Sequence, residues 1–433
     1  MTGTHSSNRV LLLEGARTPF RRSGTDYLDL ISYDLARSVI RGLLHRAGVP
    51  AGSIDNVIMG TVVQNASTSN VARDAALAAG LPVSTPAHTV TLACISANRA
   101  IADASLSIMA GRSELALAGG VELLSDVPPV FAKETRKRLF TAQKAKGPVG
   151  MLSNFRGVGL KQLLPKAPPI AEFTTGETMG RSADRLAARF GVSRGEQDAY
   201  ALRSHELAAA ADAAGHLARE MLPTALPPRF ELLERDNTWR ADTSLEKLAQ
   251  LKPAFVRPFG TVTAGNSSPL TDGAAAVLLG TERAAGEAGL TPRAVIRDWV
   301  FTAGDPGDEL LLGPARAVPE LLARNGLSWS DLDVIEIHEA FAGQVLAVLA
   351  ALGSDSFGRD ELGLAGRFAE ISLDNVNLWG GSISLGHPFG ATGARLLNTA
   401  ANRLEAEDGQ LALITACAAG GQAHAMLIER SGS

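Results

Sequence analysis

Cysteine is nearly missing from this chain: its 433 residues hold two, Cys94 and Cys417. Two cysteines cannot staple a small secreted scaffold, and without C-x-x-C spacing they cannot build a metal knuckle, so a reducing compartment is expected. Long apolar runs are missing too. The N-terminal stretch has only three consecutive leucines and no small-residue cleavage pattern, unlike a secretory signal. No run approaches the roughly 18–20 apolar residues of a membrane-spanning helix. Aromatics make up only 5%, and the net charge is −4 with a pI near 6.1. That balance offers neither a base-stacking surface nor a basic field, so no nucleic-acid partner is expected. What is present, 45% hydrophobic and 20% charged residues, is soluble globular composition, enough for two or three domains.

The chain repeats itself. Residues 43–57 (LLHRAGVPAGSIDNV) align with 321–335 (LLARNGLSWSDLDVI) at an offset of 278, with Leu43/Leu321, Arg46/Arg324, Gly48/Gly326 and Asp55/Asp333 identical. Each copy reads as a helix stopped by glycine, a loop, an aspartate and an apolar strand. A second unit follows in each half. An Ala-rich helix over 95–110 leads into ELALAGG, and one over 390–404 leads into QLALITACAAGG. Strands alternating with helices in both halves predict two similar α/β domains with buried sheets, related by a pseudo-twofold axis. The expected boundaries are 1–122 and 262–292 for the first half, 293–433 for the second, and 123–261 for an insertion.

Three segments carry chemistry. Cys94 ends an apolar run and opens a helix pattern, where the macrodipole and free backbone N–H groups favour thiolate; the alternative is a small buried hydrophobe. His387 stands in GGSISLGHPFGATGAR, a glycine- and proline-rich loop that a merely structural core histidine would not need. In DVIEIHEAFAGQ, His338 and Glu339 end a buried strand at the edge where open α/β sheets bind ligands, although Glu339 could simply cap a helix. HEAF lacks the second histidine of a zinc motif, so no metal is expected. If both halves turn these strand ends and helix starts toward one cleft, Cys94, His387 and Cys417 meet there. Two thiols and a histidine suit covalent acyl transfer with a separate proton donor.

At these motifs (ACIS, TVTAGNSSPLTDGAAAV, HEAF, GGSISLGHPFGATGAR and CAAGGQ) the sequence resembles the thiolases from end to end. HEAF and CAAGGQ make it similar to the branch containing the β-subunit of the fatty-acid oxidation trifunctional complex and its bacterial counterparts. The resemblance implies a thiolase-like α/β fold and cleavage of 3-ketoacyl-CoA by coenzyme A through an acyl-Cys94 intermediate. Coenzyme A would be a substrate, and no cofactor is implied. Cys94 would be the nucleophile, His387 its base and Cys417 the acid/base for the α-proton. His338 stands where the family usually has an asparagine holding an oxyanion-hole water, and it would either donate to that water or reach the thioester oxygen directly. The backbone N–H groups of Cys94 and Ala419 would form a second hole. Ser268, Ala264 and Gly265 would line the pantetheine channel, with Met179 and Phe255 near the acyl pocket. The competing readings are a biosynthetic acetoacetyl-CoA thiolase, a decarboxylating ketoacyl synthase and a non-catalytic acyl-CoA-binding scaffold.

Residues 129–168 remain. They carry nine Lys or Arg against one Glu, interleaved with Phe131, Leu139, Phe140, Met151, Leu152 and Phe155. A basic amphipathic segment suits an acidic partner, an anionic membrane surface or the phosphates of coenzyme A. The resemblance favours a hydratase/dehydrogenase α-subunit as partner, a homodimer or larger homo-oligomer, and a bacterial cytoplasm.

Overall fold

The computed structural model describes residues 9–166 and 170–432. Residues 1–8 of the first half, 167 and 168 of the basic segment, and 433 of the second half lie outside the described residues. Nine strands form one continuous sheet: β1 (Val10–Arg17), β2 (Asn56–Gly60), β3 (Ala87–Val90), β4 (Leu115–Glu122), β5 (Thr271–Gly280), β6 (Ala294–Ala303), β7 (Val334–Ile337), β8 (Leu411–Ala418) and β9 (Gln422–Arg430). Their order is β7-β8-β9-β6-β1-β5-β4-β2-β3, with the short pair Arg21–Arg22 added beside β5.

That order is a palindrome. From the antiparallel β1–β6 pair at the centre, β5, β4 and β2 run outward on one side, and β9, β8 and β7 on the other. On each side the two inner pairings are antiparallel and the next, β4–β2 or β8–β7, is parallel. Even β3 has a vestigial counterpart, since β7 makes an isolated parallel bridge from Ile335 to Val376. The pseudo-twofold relation expected from the 278-residue repeat is therefore built into the sheet.

The repeated residues do the same work twice. Helices α1 (Ser32–Ala47) and α3 (Pro314–Arg324) precede Gly48 and Gly326, which take left-handed φ of 66° and 64°. Asp55 Oδ2 accepts the N–H groups of Glu114 and Leu115 at 2.7 and 3.0 Å, and Asp333 Oδ2 accepts those of Gln410 and Leu411 at the same distances. Each aspartate thus ties the entry of one strand to the next.

Between the inner faces of both halves lie α2 (Ser96–Met109) and α4 (Thr392–Ala406). Ala97, Ala100 and Ile101 of α2 share one cluster with Ala394, Leu397 and Ala401 of α4. Strand residues alternate accordingly. Val10 and Leu12 face this middle cluster, while Leu11 and Leu13 face the outer cluster under α1. Both faces being covered explains why these strands read as continuous apolar runs.

The expected insertion 123–261 does not form one body. Helices Met179–Arg189 and Arg194–Ala213 join the core of the second half, with Ala183, Leu186 and Tyr200 in one cluster with Val345, Leu413 and Cys417. Their amphipathic pattern requires an apolar partner without saying which. Only Asp126–Ile170 is a separate compact unit. In it, helices Lys133–Gln143 and Gly147–Ser153 follow Val130, whose backbone bonds Lys166 in both directions. Arg138 ties the turn by donating to the Asn154 and Arg156 carbonyls. Phe140 and Leu152 are 66% and 73% exposed, so these large apolar side chains lie at the unit's surface rather than in a core.

The halves meet closely at glycine. A Cβ added to Gly120 of β4 would land on the Gly390 carbonyl oxygen, in the loop that follows His387. Gly120→Ala should therefore cost about 1–3 kcal/mol or more, as overpacking does. Gly52→Ala, where a Cβ would meet nothing within 4 Å, should be close to neutral. Denaturant midpoints check the pair, and equal midpoints would refute the close approach.

Candidate active site

Cys94 reaches its place by a sharp turn. Ala93 adopts a left-handed φ of 47°, and Ser96 Oγ closes the turn by accepting the Leu92 N–H and donating to the Ala93 carbonyl. Cys94 stands just ahead of α2, half-buried as a residue, with its sulfur on the side of the two histidines. His387 occupies the matching place in the other half, five residues ahead of Thr392, the first residue of α4. Its backbone bridges Leu270, and Gly386 before it has φ of 94° and a hypothetical Cβ that would strike Thr271. His338 follows β7 at the carboxyl edge, its N–H donating to Thr415 of β8 at 2.9 Å. These three side chains come together. The Cys94 sulfur and one nitrogen from each histidine lie within 4.8 Å of one another, and the two imidazole centroids are 4.0 Å apart.

In both buried rings Nδ1 is occupied, and Nε2 has no partner among the described residues. His387 Nδ1 is 2.6 Å from Thr392 Oγ1, whose proton points to the Pro388 carbonyl at 3.1 Å. A hydroxyl has one proton, so Thr392 accepts from His387 Nδ1–H and leaves Nε2 as a bare lone pair. Burial, then the neighbouring His338 and Arg395, hold His387 well below the usual histidine range. Burial and Arg395 likewise bring His338 down to about 3. Both rings are neutral near pH 7.

The thiol departs from the sequence expectation. Burial pushes Cys94 up to about 12, outweighing the N–H groups of Ala419 and of Cys94 itself, which hydrogen-bond the sulfur and pull the other way. The helix start is real, but desolvating a charged sulfur costs more than it returns. The resting pair is a thiol facing a neutral imidazole, and the proton must move during attack.

The two backbone donors expected to form an oxyanion hole, those of Cys94 and Ala419, lie beside this sulfur, where they favour its charged form. Ala419 is not among the described residues with positive φ, so its Cβ is accommodated, and the turn is left to Gly420 and Gly421 at φ of 84° and 68°. Cys417, near the end of β8, is buried, is a free thiol like Cys94, and is shifted upward by burial and by Cys94 itself. The residues expected to line a pantetheine channel and an acyl pocket fall near the HEAF block. Ser268 N donates to Ala340 of the HEAF block, with exposed Ala264 and half-buried Gly265 just before it. Phe255 packs on Gly180, next to Met179, and meets the Phe341 ring edge-on at 5.9 Å. A surface cavity of about 580 Å³ beside Arg37 and Arg41 includes none of these residues.

Several anchors were not anticipated. Glu339 does not cap the helix Ala342–Leu352. Buried, it accepts Tyr200, Ser204, Asn377 and the Ile383 N–H, fixing the segment that leads to His387. Glu122 accepts the N–H groups of Val62, Val63 and Gly390, and Glu172 that of Gly420 beside the Ala419 donor. Ser382 contacts His338, and Thr392 contacts His387. The only sequence signal for this last pair was hydroxyls within a glycine-rich histidine motif.

Residues 10–283 match the family model "Thiolase, N-terminal domain", and residues 290–430 match "Thiolase, C-terminal domain". The mouse mitochondrial trifunctional enzyme subunit beta is 51% identical over 97% of this chain and 88% of its own. A 3-ketoacyl-CoA thiolase of Yersinia pestis is 42% identical over 98% of each. The crystal structure of the Bacillus anthracis acetyl-CoA acetyltransferase superposes with a TM-score of 0.84 at 32% identity, covering 99% of this chain and 100% of that one.

Because a thiol with a raised pKa stays protonated below it, its thiolate fraction grows about tenfold per pH unit. In His387→Ala, which removes the neighbouring imidazole, iodoacetamide labelling of Cys94 should climb about tenfold per unit from pH 7 to 10. A plateau beginning near pH 8 would mean the thiolate is already formed at rest.

Proposed function

The chain belongs to the thiolase family, and from this we infer an acyltransferase of fatty-acid β-oxidation that cleaves 3-ketoacyl-CoA with coenzyme A into acyl-CoA and acetyl-CoA. The observation that carries the reading at the level of residues is the meeting of Cys94 with two neutral histidines and two backbone donors.

Cys94 attacks the C3 carbonyl while His387 Nε2 takes its proton, so a thiol held near 12 need not ionise first. The Cys94 and Ala419 N–H groups hold the oxygen that becomes negative at C3. Breaking the C2–C3 bond leaves acyl-Cys94 and the enolate of acetyl-CoA. His338 faces the enolate oxygen, and Cys417 supplies the proton to C2. A coenzyme A thiol, losing its proton to the Cys417 thiolate, attacks acyl-Cys94; the Cys94 sulfur leaves as acyl-CoA forms and takes back its proton from His387. One oxyanion donor is typically worth roughly 10²–10³ in rate, so each is a large share of the catalysis.

The same residues run backwards perform a Claisen condensation, the biosynthetic alternative, and the shared fold with an acetyl-CoA acetyltransferase keeps it in view. A substrate series from short to long 3-ketoacyl-CoAs separates the two. A decarboxylating synthase needs no thiol acid/base, and Cys417 argues against it. Two adjacent free thiols work only if kept reduced, which suits a reducing compartment such as a bacterial cytoplasm.

Cys417→Ala should still acquire an acyl group on Cys94, seen by mass spectrometry. Its cleavage and its exchange of acetyl-CoA α-protons with solvent deuterium should fall by about 10²–10⁴, the usual share of a positioned acid/base. Acyl label on Cys417 in wild type, or undiminished deuterium exchange in the variant, would overturn the division between the two thiols.

The unit Asp126–Ile170 supports a partner role, because it exposes Phe140, Val149, Leu152 and Leu164 among its basic residues. A relative named as the β-subunit of a trifunctional enzyme makes a hydratase/dehydrogenase α-subunit the fitting occupant of 129–168. Deleting 133–160 should abolish co-purification with that subunit while short-chain cleavage persists. Normal assembly of the shortened chain would exclude docking there, and binding of wild type to anionic liposomes would favour the membrane instead.

A further inference from the structure

His338 has two ring nitrogens, and its usefulness depends on which carries the proton. A bare Nε2 would repel the enolate oxygen, whereas Nε2–H would hold it. The deciding atom is Ser382 Oγ, 2.8 Å from His338 Nδ1. Ser382 Oγ also receives Arg395 Nη2 at 2.9 Å, and a guanidinium can only donate. One lone pair of Ser382 is therefore filled, and its single proton has no other acceptor among the described residues than His338 Nδ1.

We propose that Ser382, oriented by Arg395, is a positioning residue that fixes His338 as the Nε2–H tautomer, so that His338 donates directly to the thioester oxygen of the departing acetyl unit. The inference rests on the role given to His338 above and names what enforces it. Arg395 is fully buried on α4, and its contact with Ser382 is the only hydrogen bond of its guanidinium among the described residues. Nε and Nη1 have none, although Glu336 lies 3.6 Å from Nη1. A guanidinium placed only for stability would be expected to pair more of its donors.

The two histidines then differ by their hydroxyl partners. Thr392 accepts from His387 Nδ1 and leaves a lone pair toward the sulfur, while Ser382 donates to His338 Nδ1 and leaves a proton toward the substrate. Two chemically identical rings, 4.0 Å apart, become one base and one donor.

The test uses the full-length enzyme with ¹⁵N-labelled histidine, eight residues in all. In wild type, the His338 signals, assigned by their loss in His338→Ala, should show a protonated Nε2 and an unprotonated Nδ1. In Ser382→Ala the two nitrogens should move toward averaged shifts. Cleavage kcat should fall about 10–100-fold, the usual cost of losing an outer hydrogen-bond partner, with KM little changed and acyl exchange between Cys94 and coenzyme A retained. Ser382→Thr, which keeps the hydroxyl, should restore kcat and guards against misfolding of the alanine variant. A wild-type His338 protonated on Nδ1, or a Ser382→Ala enzyme with unchanged shifts and kcat, sinks this proposal alone. If His338→Ala itself exchanges acetyl-CoA α-protons at the wild-type rate, the parent reading of His338 fails instead.

Discussion

Backbone meeting backbone at Gly120 and Gly390 is the contact on which the rest of the site depends. There β4 of the first half touches the loop between His387 and α4 of the second, with no room for a side chain on either partner. Two residues on, Glu122 accepts the Gly390 N–H together with those of Val62 and Val63, binding the two halves by a carboxylate that burial pushes up to about 7. Gly393 extends the approach, since a Cβ there would strike Asn98 of α2. Small residues along α2 and α4 let the two helices lie together in the middle layer, and so their N-terminal ends, with Cys94 and His387, arrive at one place.

Burial then sets the chemical state of what has been gathered. Both histidines are held neutral and both thiols protonated, by the same exclusion of water. Thiols and imidazoles that rest uncharged suit a reaction whose negative charge appears first on one oxygen and then on another. The donors are already aimed, and no ion pair has to be broken first. Further out, carboxylates hold the loops that present them. Glu339 holds the segment before His387, Glu172 the glycine after Ala419, and Glu336 binds Arg403 at 2.8 Å beneath the Arg395–Ser382 contact.

Much of this was legible in the sequence. The repeat at an offset of 278 pointed to two related halves, and the sheet carries that relation in its palindromic order and in the matching bonds of Asp55 and Asp333. Cys94 and His387 stood out because a thiol at a helix start and a histidine among glycines are uncommon settings. Glu339 was visible as a polar group at a strand end, but a cap and a buried anchor look alike until its four partners, as far away as Tyr200, are seen. The expected insertion 123–261 divides between two bodies for a similar reason. Helices over 179–213 have an apolar stripe, and a stripe does not name the core it will join.

What the sequence by itself determined is the inventory and the symmetry: which atoms can attack, accept or donate, and which halves must mirror each other. Those follow from residue type and periodicity, which are properties of the chain. Only the tertiary structure decided protonation and tautomer. Cys94 is a thiol rather than a thiolate because other segments shield it from water. Under the proposal made above, His338 and His387 divide the roles of donor and base because Ser382 offers one a proton and Thr392 offers the other a lone pair. Desolvation and hydrogen-bond direction are set by neighbours that only folding brings within reach.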